Sequence, residues 1–443
     1  MSVAFNRRRF MGATGSAFAA LVASGCTVRT PKLTERSSAT SAATADLYGS
    51  LKSDPAGILD LPEGFSYRII SCLGDAMDDG ELVPDRGDGM GSFDLGNGKI
   101  ALVRNHELRA EHGPEVYAEQ GFLRGEGGGF LPGGTTTIIL DAETLAVERQ
   151  FRSLAGTWEN CAGGVTPWGS WLTCEEPGRF RRKIRDGHGW VFEVPASATG
   201  PVPAVPLKAM GRFEHEAACV DPATGIVYLT EDREDGLFYR FIPDVPGQLA
   251  QGGRLQALAV EAVPDTRNQN QPVVEAGVIH WTRWIDMDNV ESPADDLRQR
   301  GAAKGASLFF RGEGIHMGDS EIYFCCTGGG TAKCGQIFRL LPGRDGGVDR
   351  LELFFESESK EQFYYGDNLT IAPNGDLIVC EDEYADLVDN RLIGITPEGK
   401  PYVFGRLNIQ TELAGACFSP DGQYLFVNAY SPTKTFAIRG PWA

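Results

Sequence analysis

Histidine is scarce in this chain: 443 residues carry 6. No His-x-His or His-Glu-x-x-His pair occurs, which argues against a zinc hydrolase built on imidazole ligands. Gly-x-Ser-x-Gly and Walker patterns are also absent, so the usual signatures of a serine hydrolase or a nucleotide phosphate loop are missing. Gly125 to Gly129 is glycine-rich but lacks a strand-to-helix setting, and Gly318-Asp319-Ser320 stands without the other elements of a hydrolase serine block. Positive charge is in short supply, with 41 Lys and Arg against 60 Asp and Glu and a formal net charge of −19. That balance excludes nucleic acid as the natural partner. The 10 cysteines do not read as a disulfide framework. Cys325 and Cys326 are adjacent, Cys72, Cys219 and Cys417 stand alone, and one or two bridges stay open.

No apolar run reaches the roughly 20 residues needed to span a bilayer. The nearest approach is the mildly apolar stretch Gly12 to Gly25, preceded by Arg7-Arg8-Arg9 and then Phe10-Met11. A basic segment before a short apolar one reads as an export signal, here of the twin-arginine form that carries folded proteins. Residues 1–26 are assigned to that signal. Cys26 follows Ala23-Ser24-Gly25, which leaves two readings open: lipoprotein cleavage with a lipid anchor, or an ordinary small-residue site. The expected location is periplasmic or extracellular, with the twin-arginine machinery as export partner. Residues 27–55 begin in a Ser/Thr/Ala-rich stretch and are expected to be a flexible tether, leaving 56–443 as one large domain.

The whole chain holds 56 Gly and 25 Pro, and the domain shows no long helical pattern but a recurring hairpin. One copy runs from His215-Glu216 through the turn Asp221-Pro222-Ala223-Thr224-Gly225 to Glu231-Asp232. A second runs from Asp367-Asn368 through Pro373-Asn374-Gly375 to Glu381-Asp382, and a third from Asn160-Cys161 through Thr166-Pro167-Trp168-Gly169 to Glu175-Glu176. Partial copies end at Asn105-His106-Glu107, at Cys325-Cys326-Thr327 and at Asn428. About six such units predict an all-β fold, a six-bladed β-propeller with irregular long loops. A hairpin returns the chain to where it started, so the polar groups at both ends of each copy belong on one face. If the first strand of each hairpin lines the channel, these groups converge at its mouth.

A carboxylate-rich mouth with few imidazoles suits hard cations, calcium foremost. Cys161 is out of character there, because a thiolate is soft and favours a transition metal such as iron. Bound cations polarise phosphoryl oxygens and activate water at neutral pH. Arg311, in Arg311-Gly312-Glu313-Gly314, follows an apolar strand and offers a planar guanidinium fork matched to phosphate.

At these residues the chain resembles the PhoX-type alkaline phosphatases. The matching blocks are Arg104-Asn105-His106-Glu107, the run Asn160-Cys161 to Glu175-Glu176, His215-Glu216, Thr230-Glu231-Asp232 with Gly236 to Phe241, Arg311-x-Glu313-Gly314 and Gly366-Asp367-Asn368-Leu369. The resemblance implies a six-bladed propeller, hydrolysis of small phosphate monoesters in phosphate scavenging, and a cofactor of ferric iron (Fe3+) and calcium (Ca2+) with a bridging oxo group. It implies that Cys161 ligates iron and that Glu107, Glu175, Glu216 and Glu313 are metal carboxylates, with Glu231, Asp232, Asp367 and Glu381 as further ligands. Asn105 and Arg311 would hold the phosphate. The chain looks shorter than typical phosphatases of this type. Two other classes fit the residues alone: a calcium-dependent propeller hydrolase of lactones or esters, and a non-catalytic metal-binding envelope propeller.

Overall fold

The computed structural model describes residues 47–177, 187–383, 385 and 387–442. The signal assigned to 1–26, and the tether as far as residue 46, lie outside the described residues. Residues 47–55 are already part of the fold, which shortens the expected tether. Leu51 and Lys52 pair with Pro62 and Leu61. Tyr48 packs edge-on against Phe65 at 5.0 Å, and the Asp54 carboxylate accepts from the Ile58 and Leu59 amides.

Turn chemistry sets the hairpins. In the copy joining His215–Val220 to Val227–Glu231, the Asp221 carboxylate accepts from the Ala223 amide at 3.0 Å and the Thr224 hydroxyl at 2.7 Å. Such an Asx turn caps the reversal locally. The same two-strand unit recurs as Gly87–Gly96 with Lys99–His106, Asn160–Val165 with Ser170–Glu175, Gly312–Met317 with Ile322–Cys326, Gly366–Ile371 with Leu377–Glu381, and Leu413–Phe418 with Tyr424–Ala429. The first strand of each hairpin is called the inner strand below.

Further antiparallel strands extend these hairpins outward into a propeller-like, all-β arrangement. The sequence leads one to expect six separate sheets, whereas hydrogen bonding among the described residues gives five. Strand Ile279–Asp286 pairs with Gly253–Val260 on one side and with Arg350–Glu356 on the other. It thereby joins the third and fourth hairpin units into a nine-stranded sheet. The chain closes on itself through its beginning: Ser66–Cys72 supplies the outer strand beside the C-terminal Lys434–Arg439. Among the described residues the one α-helix is Leu297–Ala303, and no helix is long and apolar enough to cross a membrane.

The core lies between neighbouring sheets. Leu172 and Val191 pack with Leu229, Phe241 and Leu255 in one cluster, and Ile378 and Phe404 with Leu425, Phe436 and Trp442 in another. Each such side chain contributes about 1.5–3 kcal/mol by leaving water. Toward the axis the inner strands approach one another very closely. A Cβ on Gly164 would sit 1.8 Å from the Ala218 carbonyl oxygen, and one on Gly415, at φ +65°, 2.3 Å from that of Asp88. The channel they enclose is narrow, an apolar cavity of about 110 Å³ lined by Met90, Val165, Val220 and Met317 among others. It is too small for an organic ester, and the starts of the inner strands lie at its other end.

Candidate metal centre

That other end repeats one backbone device six times. Each hairpin has a last cross-strand pair at the mouth: Gly87 with His106, Asn160 with Glu175, His215 with Glu231, Gly312 with Cys326, Gly366 with Glu381, and Leu413 with Ala429. Immediately after that pair the register shifts by one residue in the first five hairpins, and one residue later in the sixth. A β-bulge of this kind re-aims a side chain. The residues at the bulge are Asp88, Cys161, Glu216, Glu313 and Asp367, with Ala414 at the corresponding point of the sixth.

Two further tiers surround this ring. The residue before each last pair is Arg86, Glu159, Glu214, Arg311, Tyr365 or Glu412, and four of these hold left-handed backbone: Arg86 at φ 56°, Glu159 at 41°, Arg311 at 49° and Tyr365 at 52°. Strained non-glycine backbone persists where its surroundings over-determine it. Here each carbonyl is held by the amide of the residue that follows the second strand. Glu107 bonds to Arg86 at 3.0 Å, Glu176 to Glu159 at 3.1 Å, Asp232 to Glu214 at 3.2 Å, Thr327 to Arg311 at 3.0 Å, Asp382 to Tyr365 at 2.9 Å and Tyr430 to Glu412 at 3.1 Å. The donor residues of these bonds make the rim.

Two metal-sized groups result. Cys161, Glu176 and Glu216 bring their ligand atoms within 4.8 Å of one another, and so do Glu216, Glu313 and Asp367. Glu216 belongs to both. Burial and the neighbouring acids drive the carboxyls of the two groups upward: Glu216 through Glu313 and Glu176, Glu176 through Asp232 and Glu214, and Glu313 through Asp232. Asp367 rises to about 8 through burial and Asp382, and Glu107 to about 7 through burial and Glu159. Burial and the same acids also push the Cys161 thiol well up. Asp88 Oδ1 is buried without a hydrogen-bond partner among the described residues. Like charges packed this densely out of water need cations. The donor set, oxygens with one sulfur and no imidazole, fits metal ions.

Arg311 is a cation aimed into this cluster. Its Nε and Nη2 donate to Asp232 at 2.7 and 3.2 Å, and Nη2 donates to Glu313 at 2.9 Å. Glu107 sits on the rim, where the Tyr430 hydroxyl donates to it and Arg86 Nη1 donates to that hydroxyl at 2.7 Å.

Four expected site residues are used otherwise. Glu175 is fully buried and accepts from the Trp158, Gly189 and Trp190 amides at 3.0, 2.9 and 3.1 Å and lies 2.7 Å from His188 Nδ1. Glu231 accepts from the Leu237 amide and the Tyr239 hydroxyl. Glu381 accepts from the Tyr364 amide and a two-pronged Arg391. All three are last-pair residues, which turn away from the mouth, while their successors Glu176, Asp232 and Asp382 face it. Asn105, expected to hold phosphate, is fully buried with its amide engaged: Nδ2 donates to the Cys161 and Ala162 carbonyls at 3.0 and 2.8 Å, and Oδ1 accepts from Trp171 Nε1 at 2.9 Å. It braces the strand that carries Cys161. The sequence reading put Glu176 and Asp382 at the mouth without naming them as ligands, and it missed Asp88 and Glu412. Asp88 had a signal, since Gly87-Asp88-Gly89 has the form of Gly312-Glu313-Gly314. Glu412 had none.

Comparison with known proteins adds four findings. The structure of PhoX from Pseudomonas fluorescens, in complex with the transition-state analogue vanadate, superimposes with a TM-score of 0.68 at 18% identity, covering 90% of this chain and 97% of that one. A gluconolactonase from Xanthomonas campestris gives a TM-score of 0.32 at 13% identity over 82% of this chain and 98% of that one. No curated protein sequence matches. The family model for alkaline phosphatase PhoX matches residues 46–128 and 136–433. With most of its length accounted for by that model, the chain belongs to the PhoX alkaline phosphatase family of metal-dependent phosphatases.

Proposed function

We propose that the mouth binds ferric iron and calcium together and hydrolyses phosphate monoesters. The observation that carries this reading is the pair of metal-sized groups sharing Glu216, only one of which contains a thiol. Cys161, Glu176 and Glu216 suit iron, because a soft thiolate favours a transition metal. Glu216, Glu313 and Asp367 suit calcium, being oxygen donors only. Asp88, Asp382 and Glu412 add carboxylates on the far side of the ring, with Glu107 on the rim. Bound there, the metals would supply Lewis acidity and lower the pKa of water.

The chain's own residues do the positioning. In this reading Arg311, held over the ring by Asp232 and Glu313, exchanges part of those bonds for a phosphoryl group at the mouth, which its planar guanidinium matches. Asn105 keeps the Cys161 strand in place from behind. The narrow apolar channel leaves the mouth as the route for substrate. The vanadate bound in the Pseudomonas structure supports a phosphoryl-transfer site in this fold.

Counting the nine-stranded sheet as two units joined by Ile279–Asp286 makes the architecture six-bladed. Residues 1–26 act in this reading as a twin-arginine signal, so that a metal site assembled inside the cell crosses the membrane folded. The mature enzyme works in the periplasm or outside the cell, free or held by lipid at Cys26.

The test is elemental analysis of the exported protein alongside turnover of an aryl phosphate. Iron and calcium together, with turnover lost on removing calcium, are expected. Calcium without iron, and no phosphate release, would overturn the reading.

A further inference from the structure

Two long connections of the first sheet rise beside the mouth. Residues 73–86 lead from Ser66–Cys72 to the first inner strand, and residues 107–132 lead from Lys99–His106 to Gly133–Asp141. Loops of this length inside a compact domain usually carry function. Both are built rather than slack. In the first, the Gly74 and Val83 amides bond to Val83 and Asp75 carbonyls at 3.0 and 2.9 Å. In the second, Val116 and Phe130 exchange backbone bonds at 2.8 and 2.7 Å, and the Glu115 carboxylate accepts from the Gly127 and Gly129 amides, both at 2.7 Å. The glycine-rich stretch 125–129 is therefore a braced turn in this wall.

Between the two connections lies a cleft of about 540 Å³, within the roughly 300–1,000 Å³ of small-molecule sites. Its lining is mainly apolar and includes Leu73, Leu82, Val83, Val116 and Tyr117. Leu73, Leu82 and Tyr117 expose 43%, 59% and 78% of their surface, so this wall shows apolar area that the fold does not cover. Asp85 and Leu108 in its lining are chain neighbours of Arg86 and Glu107 at the mouth, and His112, also in the lining, lies within electrostatic reach of Arg86. The cleft thus lies beside the rim.

We propose that this cleft is the leaving-group subsite, which selects phosphate esters of apolar or aromatic alcohols. The inference rests on the phosphatase reading and adds the substrate class to it. An ester whose phosphoryl group lies at the metal ring can extend its organic part past Arg86 between the two connections, where Leu82 and Tyr117 cover it.

The test compares 2-naphthyl phosphate with glycerol 3-phosphate on the metal-loaded enzyme and on a Leu82→Ser/Tyr117→Ala variant. Both positions are exposed and outside the metal ring. The variant is expected to raise KM for the naphthyl ester on the order of tenfold, with kcat held, while KM for the glycerol ester stays the same. Equal changes for both esters, or none for either, would overturn the subsite and leave the phosphatase reading standing. A wild type that turns over neither ester would overturn both.

Discussion

Glu175 and Glu176 are adjacent, identical in chemistry and opposite in role, and exchanging each for glutamine separates them. Glu175 receives the Trp158 amide and faces His188 Nδ1 at Oε1, and receives the Gly189 and Trp190 amides at Oε2. A glutamine there has one accepting oxygen. Its best orientation keeps the oxygen toward Gly189 and Trp190 and turns the NH2 toward His188, which can accept in its other tautomer. The Trp158 N–H then meets a donor, which costs ~1–3 kcal/mol. The two remaining bonds fall from charge-assisted to neutral, at about 1 kcal/mol each. Glu175→Gln is expected to lose ~3–5 kcal/mol of stability in urea unfolding, with or without metal. Glu176→Gln removes a charge that burial, Asp232 and Glu214 already oppose. The metal-free protein should be as stable as the parent or more so, while iron affinity falls on the order of tenfold or more. Loss of metal by the Glu175 variant at unchanged metal-free stability, or destabilisation of the metal-free Glu176 variant, would refute the one-residue assignment of the rim.

The metal-free protein should weaken as pH rises. Asp367, at about 8 when folded against an ordinary 3.8, binds a proton in the native state that the unfolded chain has released. Stability is therefore present below pH ~4 and lost up to pH ~8, at roughly 1.4 kcal/mol per pH unit for each such carboxyl; urea midpoints with chelator at pH 5 and 8 check this, and calcium should remove most of the slope. Arg311→Ala should lower kcat by ~10²–10³ at constant metal content, read by steady-state turnover beside elemental analysis. Cys161→Ser should lower the iron-to-calcium ratio without altering the fold, measured by elemental analysis and circular dichroism. Arg7→Lys together with Arg8→Lys should leave the protein in the cytoplasmic fraction, which cell fractionation reads directly.

Much of the fold was legible because turns are written locally. Asp221 to Gly225 and Pro373 to Gly375 name their own reversals, and a reversal forces the polar groups at both hairpin ends onto one face. The nine-stranded sheet was not legible. Ile279–Asp286 is an ordinary-looking strand whose two partners, Gly253–Val260 and Arg350–Glu356, are chosen by packing over long separations. In the site, the recurring chemistry of acid pairs was visible but its phase was not. Strand alternation assigns one residue of Glu175-Glu176, Glu231-Asp232 and Glu381-Asp382 inward and the other outward, and sequence spacing gives no origin for that count. The origin is set by the last cross-strand pair and by left-handed residues such as Glu159 and Tyr365, neither a glycine that would mark the position.

The repeated bulge explains why so acidic a mouth can be built without unfolding the strands that make it. A regular ladder would send the residue after Asn160 or His215 along the same alternation as its neighbours. One extra residue turns Cys161 and Glu216 toward the ring while the bonds on either side persist. The carboxylates thus hang from rigid strands, and the loops beyond them can differ. The six positions are correspondingly unequal: Asp88, Cys161, Glu216, Glu313 and Asp367 carry ligand groups and Ala414 carries none. A ring filled on five sides has a direction. The lead-in cations deepen that asymmetry, because Arg86 and Arg311 belong to the first and fourth of six successive hairpins and so stand on opposite sides of the mouth. On the proposed reading, a phosphate ester held at Arg311 has the first sheet across the mouth from it, where the braced connections 73–86 and 107–132 stand beside the rim.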